Sequence, residues 1–138
     1  MNCLFVDTAG WMAMADRKDP LNAAAIAARD QWLENEGVLA TSNYIVDETL
    51  TLIRMRIGLD AAKKWWAMVS KSPRCKMYWI TPEREETAIQ WFFDWQDQSF
   101  SFTDCTSFVL MKELGVTKAL TADKHFITAG FEMLPTDQ

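Results

Sequence analysis

Short apolar runs alternate along the chain with longer segments in which apolar residues recur at helical spacing. The apolar runs predict strands at residues 3–6, 38–40, 77–80 and 118–121, and a last edge strand at residues 131–134. The longer segments predict helices over residues 22–35, 44–57, 59–70 and 82 to about 95, and from Thr103 or Asp104 to Gly115. Strands that alternate with helices form mostly parallel sheets covered on both faces, so the pattern predicts an α/β fold.

Residues with known preferences for helix ends support these boundaries. Gly37 and Gly58 end the first two predicted helices, and Thr41 or Ser42 caps the start of the second. Pro82 suits the first turn of the helix that follows the third strand, because a first-turn residue needs no N–H partner. The chain has 138 residues without an internal repeat or a linker, so we expect one domain over residues 1–138.

Composition and charge restrict the class of protein. Apolar residues make up 49% of the chain, which is enough for a packed core, and the net charge is −5. The longest stretch without a charged residue, residues 37–46, is too short to cross a bilayer. No basic residue precedes the first apolar run, as a signal peptide would require. These features predict a cytoplasmic protein with no membrane contact.

The rare residues exclude several kinds of chemistry. Cys3, Cys75 and Cys105 are far apart without paired spacing, which indicates reduced thiols and no zinc-ribbon site. His125 is the one histidine, so acid–base catalysis by two histidines is excluded. The five glycines are scattered and form no phosphate-binding loop. Carboxylates are the chemical groups that remain for a catalytic role.

Two aspartates follow predicted strands. Asp7 comes after the first strand and Asp123 after the fourth. Because the carboxyl ends of parallel strands meet at one edge of a sheet, we expect both side chains at that edge, where such folds bind ligands. The alternative is that each is an ordinary turn residue.

Two further acids are placed by helical geometry. Glu48 lies between Leu52 and Met55 at the edge of the apolar arc of its predicted helix, where a carboxylate needs a metal ion or a cation such as Arg56. Asp104 lies in a first helical turn, where it either joins a site or only interacts with the helix dipole. Four carboxylates that share one cavity repel each other unless a divalent cation neutralises them, and oxygen ligands favour Mg²⁺ or Mn²⁺.

Four segments of the chain resemble PIN domains, and they are most similar to VapC-type toxin ribonucleases of bacterial toxin–antitoxin pairs. They are FVDTAGW (5–11), VDETL (46–50), SFTDCTSFVLM (101–111) and LTADKHF (120–126), in the order and spacing of the family over essentially the whole chain. The resemblance implies a PIN-like three-layer α/β/α fold with a central, mostly parallel sheet of four or five strands. It also implies Mg²⁺- or Mn²⁺-dependent cleavage of RNA and inhibition by a small antitoxin protein.

The resemblance also assigns residues. It implies a catalytic acidic quartet, which maps onto Asp7, Glu48, Asp104 and Asp123. Of these four, Asp7 and Asp104 are the expected direct metal ligands. Supporting hydroxyls fall at Thr8 and Thr103, and His125 is expected to cap or hydrogen-bond near Asp123 without a catalytic role. The alternative function is a non-catalytic PIN-fold module that binds metal or RNA.

Two further patterns concern partners. Between Arg54 and Lys76 the chain carries seven basic residues and one acid, a local charge of +6 that would attract RNA, unless it is only a solvated surface. Seven tryptophans and eight phenylalanines exceed the usual need of a small core. The adjacent Trp65 and Trp66, and the aromatic residues at positions 91–95, therefore predict a homodimer interface and an antitoxin groove, or else packing on two sides.

Overall fold

A five-stranded sheet forms the centre of the computed structural model, which describes residues 2–136. All neighbouring strands are parallel, in the order β3-β2-β1-β4-β5. The strands are β1 (Cys3–Val6), β2 (Val38–Ser42), β3 (Cys75–Tyr78), β4 (Lys118–Leu120) and β5 (Glu132–Leu134). The central strand β1 is buried from Leu4 to Val6, as expected for a sheet covered on both faces. The predicted parallel α/β architecture is confirmed.

Seven helices connect and cover these strands within the described residues. They are α1 (Thr8–Ala15), α2 (Asn22–Glu34), α3 (Asn43–Arg56), α4 (Leu59–Lys71), α5 (Pro82–Asp94), α6 (Phe102–Leu114) and α7 (His125–Thr128). None of the helices in residues 2–136 combines the length and apolar character that a membrane span requires.

The pattern of apolar residues misses α1 entirely. This helix is buried over most of its surface, so it lacks the polar face that makes an amphipathic helix recognisable. Gly10 explains how closely it packs, because a Cβ atom there would lie 2.1 Å from the backbone oxygen of Leu120 at the end of β4. The short helix α7 was also not predicted.

Several boundaries differ from the predicted ones. Strand β3 lies two residues earlier than predicted, because Trp79 leaves the sheet and is 60% exposed, and the Ile80 N–H donates to the Asn43 side chain. Ser42 caps α3, which confirms one of the two candidates. The cap of α6 is Ser101 rather than Thr103 or Asp104.

All three cysteines are free thiols, as expected. Burial raises the pKa of Cys75 to about 11. The pKa of Cys105 is likewise raised to about 11, mainly by burial and further by the carboxylate of Asp104. Both thiols are therefore almost entirely protonated at neutral pH, which favours the carboxylates as the candidates for chemistry.

Candidate functional site

A cavity of about 450 Å³ opens at the carboxyl edge of the sheet, beside the ends of β1 and β4. Its lining includes all four acids that the sequence singled out, namely Asp7, Glu48, Asp104 and Asp123. They come from the end of β1, the first half of α3, the first turn of α6 and the loop after β4. The expected convergence of four distant carboxylates on one cavity is therefore present in the structure.

Asp7 is the most buried of the four, with 6% of its surface exposed. One carboxylate oxygen accepts a hydrogen bond from the Gly10 N–H at 2.8 Å and thereby caps α1. The other accepts from the Thr121 hydroxyl at 2.7 Å, because the pairing of β1 with β4 brings residue 121 alongside residue 7.

The environment of Asp7 disfavours its ionised form. Burial raises the pKa of this carboxyl to about 7; the hydrogen bonds from Thr121 and Gly10 lower it, and the negative charges of Asp123 and Asp104 raise it further. A cation bound in the cavity would stabilise the ionised form.

Asp104 both caps a helix and lines the cavity. It is the third residue of α6 and forms a reciprocal capping box with Ser101, in which each backbone N–H donates to the other side chain. The same carboxylate lines the cavity and lies 3.0 Å from Nδ1 of His125. Burial raises the pKa of Asp104, and the hydrogen bonds from Ser101 and His125 partly oppose this shift.

His125 joins two acids of the cavity. Its backbone N–H donates to Oδ1 of Asp123 at 2.9 Å, and its ring Nδ1 lies 3.3 Å from the same oxygen. The predicted hydrogen bond near Asp123 is therefore confirmed. The sequence did not indicate that the ring also reaches Asp104. Ligand atoms of Asp104, Asp123 and His125 lie within 4.8 Å of one another, close enough to bind one metal ion.

The hydroxyl of Thr8 forms no hydrogen bond within the described residues. Thr8 is 8% exposed and lines the cavity next to Asp7. A buried hydroxyl without a partner is costly, whereas an ion or its water shell would satisfy it. This orphaned oxygen and the surrounding carboxylates fit a hard divalent cation.

Glu48 occupies a more open wall of the cavity. It is exposed, and its helix α3 lines the cavity with Ile45, Glu48, Leu52 and Arg56. The alternative of an ion pair between Glu48 and Arg56 is not realised, since no ion pair joins these two residues. The open wall leaves room for a bound molecule beside the buried acids.

A family model for the PIN domain matches residues 4–132. The chain is a PIN domain. It is 33% identical over 128 residues to the 23S rRNA-specific endonuclease VapC20 of Mycobacterium tuberculosis, in two strains, and the alignment covers 93% of this chain and 95% of that protein. The resemblance found in the sequence motifs is confirmed.

Solved structures agree with this assignment. This PIN domain superposes on the crystal structure of Mycobacterium tuberculosis VapC20, a sarcin–ricin loop cleaving toxin, with a TM-score of 0.83 over 93% of this chain and 95% of that one. It also matches FitAcB from Neisseria gonorrhoeae with a TM-score of 0.67 and 14% identity, covering 96% and 97% of the two chains, which supports the fold alone. The PIN-like three-layer α/β/α fold is confirmed.

Of the seven basic residues between Arg54 and Lys76, Arg56 is the one that lines the cavity. Arg56 lines the cavity, whereas Arg74 precedes β3 at the opposite edge of the sheet. The guanidinium of Arg74 donates to the backbone oxygens of Leu33 and Gly37, so this cation has a structural role.

The aromatic residues divide between core and surface. Trp65 is buried against Trp11, whereas the adjacent Trp66 is 41% exposed. On α5, Trp91 packs on Trp95, and Phe93 is 68% exposed. Packing on two sides therefore accounts for part of the aromatic excess, and exposed rings remain on α4 and α5.

Proposed function

We propose that this PIN domain is an endoribonuclease that hydrolyses phosphodiester bonds with the aid of a divalent cation, Mg²⁺ or Mn²⁺. The observation that carries the proposal is the buried Asp7 carboxyl, which shares one cavity with three further acids and the unsatisfied hydroxyl of Thr8. The nuclease activity of VapC20, to which this chain is 33% identical, supports the same reaction.

Each acid has a proposed role. Asp7 and Asp104 would bind the cation directly, and Glu48 and Asp123 would hold its water ligands or a second ion. When bound, the cation lowers the pKa of a water ligand and neutralises charge on the phosphate. The neighbouring contacts orient the ligands: Gly10 and Thr121 fix Asp7, while Ser101 fixes Asp104.

The substrate proposal follows from the relatives. VapC20 acts on 23S rRNA and its sarcin–ricin loop, so a hairpin with that sequence is the first RNA to test. In line with the resemblance, we place this protein in the cytoplasm as the toxin of a toxin–antitoxin pair. The exposed apolar side chains of Trp66 and Phe93 offer surfaces for an antitoxin and a homodimer partner. Sedimentation as a monomer at micromolar concentration would contradict the dimer.

The reaction is tested with purified protein, the labelled hairpin, and Mg²⁺ or Mn²⁺, with and without EDTA. We expect cleavage that EDTA abolishes and that Asp104→Asn reduces at least about a hundredfold. Metal-dependent cleavage that persists in both Asp7→Asn and Asp104→Asn would refute the assignment.

Two substitutions on α3 distinguish the loss of an acid in the cavity from the loss of a negative charge elsewhere on the same helix. Glu48→Gln removes an acid that lines the cavity, whereas Asp47→Asn removes an exposed acid that does not. We expect only Glu48→Gln to slow cleavage. RNA binding without cleavage by the wild-type protein would instead support the non-catalytic binding module.

A further inference from the structure

One face of α3 forms a continuous wall of the acidic cavity. Ile45, Glu48, Leu52 and Arg56 all line it, at spacings of three, four and four residues. Such spacing places side chains in one row along a helix. The row therefore leads from an acid of the proposed catalytic quartet to a cation at the end of the helix.

Arg56 has an unusual electrostatic setting. The cavity is lined by Asp7, Asp19, Glu48, Asp104 and Asp123, and Arg56 is its one lysine or arginine among the described residues. Yet Arg56 forms no ion pair or side-chain hydrogen bond within residues 2–136, whereas Arg84 pairs with Glu113 and Arg29 with Asp30. Arg56 is exposed and lines the cavity, and its guanidinium has no hydrogen-bonding or ion-pair partner within residues 2–136.

The helix geometry sets the reach of this guanidinium. Eight residues of α-helix separate the Cα atoms of Glu48 and Arg56 by about 12 Å along the axis, at about 1.5 Å per residue. Helical side chains lean towards the N-terminus of the helix, which here points Arg56 along the wall towards Glu48. Arg56 thus lines the same cavity as the acids, about two turns of α3 beyond Glu48.

A phosphate group is the ligand that matches this placement. Guanidinium binds phosphate through two parallel N–H donors, and such charge-assisted hydrogen bonds are stronger than neutral ones. The acid cluster would repel a polyanion in the absence of a cation, so a fixed cation on the open wall helps to hold an RNA strand there.

Building on the proposed nuclease function, we propose that Arg56 binds a backbone phosphate of the RNA next to the scissile one. This contact positions the strand so that the scissile phosphate meets the four acids. Arg56 is then a substrate-positioning residue that recognises phosphate without reading the base.

The contact is tested by neutralising the phosphate of the RNA and, separately, the guanidinium of Arg56. A set of sarcin–ricin loop hairpins carries one neutral methylphosphonate each, at successive positions around the cleavage site. For the wild-type protein with Mn²⁺, we expect one flanking methylphosphonate to lower kcat/KM by about tenfold or more, mainly through KM. Arg56→Gln lowers kcat/KM on the unmodified hairpin to a similar extent, and the same methylphosphonate then has little further effect.

Two variants serve as controls. Arg54→Gln changes the net charge equally, and Arg54 is exposed like Arg56, but it lies about 200° around α3 from Arg56, outside the cavity lining. We expect it to retain the full sensitivity to the flanking methylphosphonate. Arg56→Lys keeps a point charge without the fork of donors, so it should recover only part of kcat/KM.

The outcomes distinguish this inference from the proposed function. If the wild-type protein cleaves the hairpin but no flanking methylphosphonate affects it, or if Arg56→Gln shows the wild-type pattern, the Arg56 contact is refuted and the nuclease proposal stands. If the wild-type protein does not cleave with any divalent ion, both are refuted. If Arg56→Gln fails to fold, the wild-type scan can still refute the contact, and Arg56→Lys then tests whether Arg56 makes it.

Discussion

Replacing Asp7 with asparagine should stabilise the protein in the absence of metal. The raised pKa, from 3.8 to about 7, means that ionised Asp7 is held at a cost in the native state. One pKa unit is equivalent to about 1.4 kcal/mol, so the full cost is about 4 kcal/mol. Asparagine carries no charge, yet its oxygen can accept from the Gly10 N–H and its amide can donate to the Thr121 hydroxyl.

The stabilisation of the protein by Asp7→Asn should increase as the pH rises. Between pH 3.8 and about pH 7 the native state holds a proton on Asp7 that the unfolded chain has released, so the free energy of unfolding falls as pH rises. Asp7→Asn lacks this dependence. Its advantage over the wild-type protein should therefore grow from about 2 kcal/mol at pH 5.5 to about 4 kcal/mol at pH 8.

Urea unfolding in EDTA at both pH values measures this advantage, with Asp47→Asn as a control for an exposed acid on α3. Adding Mn²⁺ should raise the free energy of unfolding of the wild-type protein by about 2.7 kcal/mol at a hundred times its Kd, but not that of Asp7→Asn. Equal free energies of unfolding for the wild-type protein and Asp7→Asn in EDTA at pH 8 would show that ionised Asp7 does not destabilise the native state.

Three further substitutions test the surroundings of the cavity. Gly10→Ala should lower the free energy of unfolding by about 3 kcal/mol or more, because its Cβ meets the backbone oxygen of Leu120; a melting temperature within a few degrees of wild type would contradict the close packing. Ser101→Ala should cost about 1 kcal/mol in denaturant unfolding through loss of the α6 cap, and Ser101→Thr should restore it. His125→Ala should weaken Mn²⁺ binding about 10- to 100-fold by calorimetry, since the ring contacts the Asp104 carboxylate; unchanged affinity would exclude the ring from the metal site.

The sequence could predict the position of an acidic side chain where that position depends on the strand or helix next to it. Asp7 and Asp123 could be placed at one sheet edge because both follow strands, and Glu48 could be placed by helical angle alone. That all four quartet members act in catalysis stays a prediction, as does the single domain over residues 1–138. The structure supplies their shared cavity, which is a precondition of the catalytic proposal.

Other features depend on contacts between distant segments. The hydrogen bond between Thr121 and Asp7 exists because β4 pairs with β1, although 114 residues separate the two side chains. The sequence does not distinguish the role of Arg74 from that of the other cations in the basic segment, because its contact with the Gly37 backbone oxygen depends on the pairing of β3 with β2. Helix α1 left no periodic pattern because its surroundings are apolar on most sides.

The three cysteines differ in exposure, which is useful for attaching a fluorescent label. With a pKa of about 11, Cys75 and Cys105 are about one ten-thousandth thiolate at pH 7, and both side chains are buried. Cys3 is partly exposed and opens β1 at the edge of the sheet away from the acids. A maleimide dye should therefore label the native chain selectively at Cys3, giving a fluorescent reporter without mutagenesis and at a distance from the acidic cavity.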